Sequence, residues 1–156
     1  MLTFTTNDSQ ETQQVGYEIG QLTEAGELIL LTGELGAGKT CLTQGICRGA
    51  GFEGFASSPS FVLVKEYPGR FTIYHIDLYR LESIDEISEM GIEEYVGGDG
   101  LCIVEWANKA ENLFPIEHLH IQIEHVSPDT RGFQVISNGE RYDRFAEHIR
   151  VKWNLR

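Results

Sequence analysis

Gly33, Gly38, Lys39 and Thr40 stand in GELGAGKT at the spacing G-x-x-x-x-G-K-[ST], a pattern with a definite chemical use. Backbone N–H groups of such a loop, here Glu34, Leu35, Gly36, Ala37, Gly38, Lys39 and Thr40, can surround phosphate oxygens. The lysine reaches the β and γ oxygens, and the threonine hydroxyl can bind Mg²⁺. Glycines are required because a Cβ would block either the positive φ values or the approach of the phosphate. A phosphate grip alone hydrolyses nothing: the metal needs a carboxylate, and an attacking water needs orientation or a base. Two acids qualify, Asp77 at the end of FTIYHID and Glu105 at the end of LCIVE, both where strands of an open α/β sheet deliver ligand-binding residues. His75 shares a strand face with Asp77. The sequence leaves the water-activating role open among Asp77, His75 and Glu105.

The surrounding elements suit that reading. ELILLTG is a buried strand running into the glycine loop, and KTCLTQGICRGAG is a helix with Gly49 or Gly51 near its end. Upstream, LTF predicts a short strand, and Thr12, Val15, Ile19 and Leu22 predict an amphipathic helix capped from Asn7 to Ser9. Downstream, SFVLVKEY and FTIYHID predict an antiparallel hairpin turned by Pro68 and Gly69. Short helices are expected over Ile84 to Met90 and Ile92 to Val96, and LCIVEW reads as a second buried strand. ANKAENLF reads as a short helix stopped by Pro115, and HLHIQIEHV with GFQVIS as a second hairpin. A final helix carries Tyr142, Phe145, Ile149 and Trp153 on one face. The expected fold is α/β, three-layered and P-loop NTPase-like, its mixed sheet having a parallel core and antiparallel flanking strands. With no repeat or linker, residues 1–156 are expected to form one domain.

Composition narrows the function. The chain has 156 residues and a net charge of -12, enough length to bury roughly two thirds of its unfolded surface. No basic segment precedes an apolar one at the N-terminus, and the longest apolar run, Leu28 to Leu31, cannot span a bilayer, so a cytoplasmic chain is expected. Cys41, Cys47 and Cys102 have neither C-x-x-C spacing nor an even number, and read as reduced core thiols. Residues 1–130 carry 6 Lys and Arg against 21 Asp and Glu, which argues against broad binding to a nucleic-acid backbone. Glu82, Asp85, Glu86, Glu89, Glu93 and Glu94 form either a solvated helix face or a docking surface for a basic partner.

One motif points elsewhere. Asn108, Lys109, Ala110 and Glu111 approach the N-K-x-D by which GTPases read guanine, and they follow a buried strand as that motif does. Glu in the last position moves the carboxylate by about one methylene in a bidentate contact. The D-x-x-G switch is also missing, since Leu78, Tyr79 and Arg80 follow Asp77. A small-molecule kinase is disfavoured too, because Arg48, Arg70 and Arg80 are the only arginines before residue 131. A small GTP-binding switch protein and a non-catalytic nucleotide-dependent binding module remain as the alternatives to an ATPase.

Five blocks in order carry a family resemblance: GELGAGKT, SSPSF at Ser57 to Phe61, YHIDLYRL at Tyr74 to Leu81, GIEEY at Gly91 to Tyr95 and VEWANKAENLFP at Val104 to Pro115. From the first helix to Arg131 the chain resembles the bacterial TsaE family, the small P-loop ATPases of tRNA threonylcarbamoyladenosine synthesis. The resemblance implies ATP and Mg²⁺ as cofactors, with hydrolysis that is slow or partner-dependent. It implies support of a threonylcarbamoyl transferase complex, with TsaD and TsaB type partners, that modifies adenosine 37 of tRNAs reading codons that begin with A. tRNA would be met only through that complex. By position, Lys39 and Thr40 keep phosphate and metal roles, and the segment holding Ser60 is switch-like. Glu105 is the first choice for the metal carboxylate, paired with Trp106, and Asp77 sits near the metal or positions water. Arg131 is a further candidate for a nucleotide contact. The chain departs from the family pattern in having Ser60 where SPTF has threonine, which keeps the hydroxyl with fewer rotamer limits. Cys41 replaces a frequent second threonine after GKT, which weakens any hydrogen bond made there.

Overall fold

The structure is a computed structural model that describes residues 1–59 and 63–155. Strand β1 (Leu2–Thr6) leads into helix α1 (Ser9–Leu22), where the Asp8 carboxylate accepts the Glu11 N–H and so satisfies one of the helix's open donors. Strand β2 (Leu28–Thr32) is buried throughout and is followed by the glycine loop and helix α2 (Lys39–Gly49). The hairpin β3 (Val64–Pro68) and β4 (Thr72–Asp77) precedes α3 (Ile84–Glu89), β5 (Leu101–Glu105), the hairpin β6 (His118–His125) and β7 (Arg131–Asn138), and α4 (Asp143–Lys152). Short 3₁₀ segments occupy Ile92–Glu94, Ala107–Leu113 and Glu140–Tyr142.

Among the described residues seven strands form one mixed sheet in the order β1-β7-β6-β2-β5-β4-β3. The four central strands β6, β2, β5 and β4 run parallel, while β1, β7 and β3 are added antiparallel at the flanks. Strand alternation splits the core in two. Ile29, Leu31, Leu101 and Ile103 meet α1, α2 and α4 on one face, whereas Leu28, Leu30, Cys102 and Val104 meet α3 and the 3₁₀ segments Ile92–Glu94 and Ala107–Leu113 on the other. This is the expected three-layer α/β arrangement. No helix among the described residues is long and apolar enough to cross a membrane.

Two local expectations change, and a third takes a more definite form. The first hairpin strand begins at Val64, so Leu63 lies outside it, and Ser60, Phe61 and Val62 lie outside the described residues. Trp106 does not extend β5; its φ of 61° turns the chain out of the sheet. ANKAENLF forms the expected short helix, as 3₁₀ turns over Ala107–Leu113 interrupted at Ala110, whose φ is -150°.

α1 and α2 cross with backbones nearly touching. A Cβ on Gly20 would lie 2.1 Å from the Ile46 carbonyl oxygen, and one on Gly49 would lie 2.0 Å from that of Tyr17. Because α2 begins at Lys39, this crossing also fixes where Lys39 and Thr40 sit. At the other end, α4 closes the layer: the Trp153 indole donates to Glu18 at 3.0 Å, and buried Glu27 pairs with Arg141 and Arg144.

Candidate functional site

The parallel register β4 to β5 sets Asp77 opposite Glu105, and β5 to β2 sets Glu105 opposite Leu31, one residue before the strand's end at Thr32. Both acids project toward α2, on the same face as Ile103 and His75. They are buried, Asp77 at 3 % and Glu105 at 2 % exposure. Across from them Thr40 Oγ1 donates to Glu105 Oε1 at 3.0 Å, with Oε2 at 3.4 Å. A cavity of about 300 Å³ opens over this group, lined by Leu35, Gly36, Gly38, Lys39, Thr40, Cys41, Ser58, Asp77, Tyr79, Glu105 and Trp106. These residues come from four separate stretches of chain, and the two carboxylates, the lysine and the threonine hydroxyl meet in one place.

Lys39 is 4 % exposed, with Nζ donating to the carbonyls of Gly33 at 2.7 Å and Glu34 at 2.8 Å. The Trp106 ring centroid lies 4.0 Å from Nζ, a cation–π contact that the left-handed turn at Trp106 makes possible. Burial pushes the ammonium below the ordinary lysine value, against the opposing pull of Glu105 and then Asp77. Trp106 in turn packs on Tyr79, centroids 4.9 Å apart. A bulky residue at positive φ is strained, and here the strain places an aromatic face on the site's cation.

Asp77 is held on both oxygens: Oδ1 accepts the Tyr79 N–H at 2.9 Å and Oδ2 accepts the Ser58 hydroxyl at 2.8 Å. Ser58 and Tyr79 were not singled out from sequence. Ser58 sits in SSPSF and Tyr79 two residues past Asp77, so an Asx-type turn after the strand was the available signal. His75 is fully buried and does not line the cavity; its Nε2 bonds Glu105 Oε2 from behind. That position removes it as a base acting on a molecule in the cavity.

The rest of the loop divides by exposure. Leu35 is 72 % exposed at the tip, while the Ala37 side chain is buried in the core, leaving its backbone as the part that can face a ligand. Gly38, at φ 114°, forms the N-terminal cap of α2. Arg131 lies beside it, with its Nη1 donating to the carbonyls of Ser127, Pro128 and Thr130. The guanidinium is thereby fixed at the rim between α1 and the glycine loop. Ser60 lies outside the described residues. The N-K-x-E segment faces another way: Lys109 Nζ donates to the carbonyls of Tyr79 and Leu81, pinning the segment after Asp77.

One cysteine departs from the core expectation. Cys47 and Cys102 are buried, and burial pushes both thiols up to about 12. Cys41 is only half-buried, lines the cavity, and donates to the Ser9 carbonyl at 3.5 Å. Burial raises its thiol above the ordinary value, opposed by Gln13 and Arg131. Iodoacetamide should therefore modify Cys41 alone in the native protein, faster as the pH rises and more of the thiolate forms. Peptide mass spectrometry checks this, and early labelling of Cys47 or Cys102 would contradict it.

A strand ending in a glycine loop, a helix opening on Lys39 and Thr40, and strand-end acids on the neighbouring parallel strands define a P-loop NTPase-like α/β protein. Within that class the chain belongs to the TsaE family: the model for "Threonylcarbamoyl adenosine biosynthesis protein TsaE" matches residues 6–133. The tRNA threonylcarbamoyladenosine biosynthesis protein TsaE of Bacillus subtilis is 36% identical over 149 residues, 95% of this chain and 93% of that protein. The protein of the same name from Treponema pallidum is 39% identical over 107 residues, covering 69% of this chain and 79% of its own length. The crystal structure of YdiB from Bacillus subtilis superposes with a TM-score of 0.81 at 32% identity, covering 98% of this chain and 96% of that one.

Proposed function

We propose that residues 1–156 act as one Mg²⁺-dependent ATPase domain in the biosynthesis of tRNA threonylcarbamoyladenosine. It would work in the cytoplasm with TsaD and TsaB type subunits of the transferase that modifies adenosine 37. The observation that carries this reading is the Thr40 hydroxyl on Glu105, beside a lysine whose ammonium is held by loop carbonyls.

The residues present fit the groups the reading requires. Thr40 and Glu105 offer hard oxygen ligands, the kind Mg²⁺ takes when one or two protein groups and substrate phosphates complete its surroundings. Among the described residues no three of His, Cys, Asp and Glu converge as a self-sufficient metal site, consistent with a metal that depends on phosphates. A bound Mg²⁺ would supply charge neutralisation for the phosphoryl group being transferred. Lys39 would neutralise the β and γ oxygens, and the backbone from Glu34 to Thr40 would cradle them. Ser60 and Arg131 would complete the contacts with nucleotide. Asp77, held by Ser58 and Tyr79, would orient water, and Tyr79 and Trp106 would shield the lysine side of the cavity.

The test is nucleotide turnover by the purified chain with and without the two transferase subunits, with GTP in competition. ATP turnover that rises in their presence is the expected result. Subunits that ignore the chain with and without ATP would sink the partner reading, and a preference for GTP would move it to the GTPase class.

A further inference from the structure

Glu105 is one end of a polar line that continues into the protein. His75 Nε2 bonds its Oε2, and His75 Nδ1 lies 3.4 Å from the Tyr67 hydroxyl. That hydroxyl accepts the Ser57 N–H at 3.3 Å and donates to the Ser57 carbonyl at 3.2 Å. The line therefore joins the carboxylate to the loop that carries Ser58, the residue bound to Asp77. The same loop is tied to both strand-end acids, directly to one and through two buried side chains to the other.

Packing does not require this chemistry. The Tyr67 ring is stacked on Phe52 with centroids 4.6 Å apart, a contact that phenylalanine would keep. His75 is fully buried at a position that a leucine could fill, since Ile73, two residues earlier on the same strand face, lies in the core. A buried imidazole costs free energy unless both nitrogens are engaged, and here each is. With Nε2–H donated to Glu105, Nδ1 is an acceptor. The single Tyr67 proton then has two acceptors in reach, Nδ1 and the Ser57 carbonyl. Hydrogen bonds in such chains polarise one another, so a change in what Glu105 holds shifts the balance at Ser57.

We propose that His75 and Tyr67 are positioning residues that couple the Glu105 carboxylate to the loop at Ser57 and Ser58, so that metal held by Glu105 and order in this loop rise together. The metal half of the proposal rests on the functional reading above; the coupling between carboxylate and loop does not.

The experiment uses the full chain and three variants, Tyr67→Phe, His75→Leu and His75→Gln. Two readouts are taken: amide hydrogen exchange of the peptide spanning Ser57, and calorimetric Mg²⁺ half-saturation with a non-hydrolysable ATP analogue. Without any ligand, Tyr67→Phe should speed exchange at Ser57 while leaving the thermal midpoint near wild type. His75→Leu should raise the Mg²⁺ concentration for half-saturation about tenfold, the lower end of what losing a partner behind a metal ligand costs. His75→Gln, whose amide N–H can still reach Glu105, should recover most of that affinity but not the loop protection. In the wild type the Mg²⁺–analogue pair should slow exchange at Ser57, and Tyr67→Phe should lose this response. Wild-type exchange at Ser57 in folded Tyr67→Phe overturns the coupling, as does an unchanged Mg²⁺ requirement in folded His75→Leu. A wild-type chain that binds no Mg²⁺ or nucleotide overturns the functional reading and the metal half together, while the ligand-free exchange data still decide the coupling.

Discussion

Glu105→Gln should lower ATP turnover by about 100- to 1,000-fold, the scale of removing one preorganised electrostatic contact, while nucleotide binding persists. The amide keeps the shape of the carboxylate, with an oxygen to accept the His75 Nε2–H and an N–H that the Thr40 hydroxyl can accept, so the fold around β5 stays packed. What disappears is the negative charge, which a hard cation needs and a glutamine oxygen replaces poorly. Binding should survive because Lys39 and the loop backbone are untouched, and Lys39 loses the stronger of the two carboxylate attractions that compete with phosphate for it. Turnover measured at saturating Mg²⁺ beside calorimetric nucleotide affinity separates the two effects. Unchanged turnover would transfer the metal role to Asp77, the acid paired with Glu105 across the β4 and β5 register.

The second large effect concerns stability. Gly49→Ala should destabilise the protein by about 3 kcal/mol, at the upper end of the overpacking range, a fall in Tm of roughly 6–12 °C for a chain of this size. Helix propensity alone predicts the opposite sign, since alanine is favoured over glycine in a helix by about 1 kcal/mol. Packing wins because the new Cβ would sit 2.0 Å from the Tyr17 carbonyl oxygen and 3.0 Å from the Gln21 nitrogen, both backbone atoms that cannot swing away. α1 and α2 would have to separate, displacing the start of α2 at Lys39. Gly98→Ala is the matched control: nothing lies within 4 Å of its Cβ position, and its effect should stay within about 0.5 kcal/mol. Differential scanning calorimetry of the two variants decides the matter, and a Gly49→Ala protein as stable as wild type would refute the backbone-contact account.

Local signals made most elements readable. The spacing of Thr12, Val15, Ile19 and Leu22 with Asp8 ahead of them specifies α1, and the uninterrupted apolar run of β2 before the glycines specifies a central strand. The two strand-end acids were legible for the same reason, because each closes an apolar run. Their alignment was not. That Asp77 stands opposite Glu105, and that Thr40 reaches Glu105, depends on the sheet order β2-β5-β4 and on the depth of the α1–α2 crossing, neither of which leaves a local trace. Trp106 shows the same limit: its sequence reads as the end of a strand, and its positive φ goes with contacts to Lys39 and Tyr79 that lie far off in the chain. Cys41 was read by residue type as a core thiol, but its place on the first turn of α2 turns it toward the cavity and the Ser9 carbonyl.

The strand order also governs how the chain can be built during synthesis. β1 finds its partner in β7, with Phe4 opposite Phe133, and β2 is flanked by β5 and β6. A nascent chain emerging from the ribosome at about 5–20 residues per second would therefore carry the glycine loop for several seconds before either neighbour of β2 exists. The apolar edges of β2 stay open until β5 and β6 are delivered, and β1 stays single until β7 follows. Parallel pairings between distant segments form slowly, which makes this interval the time when the protein most depends on protection from aggregation.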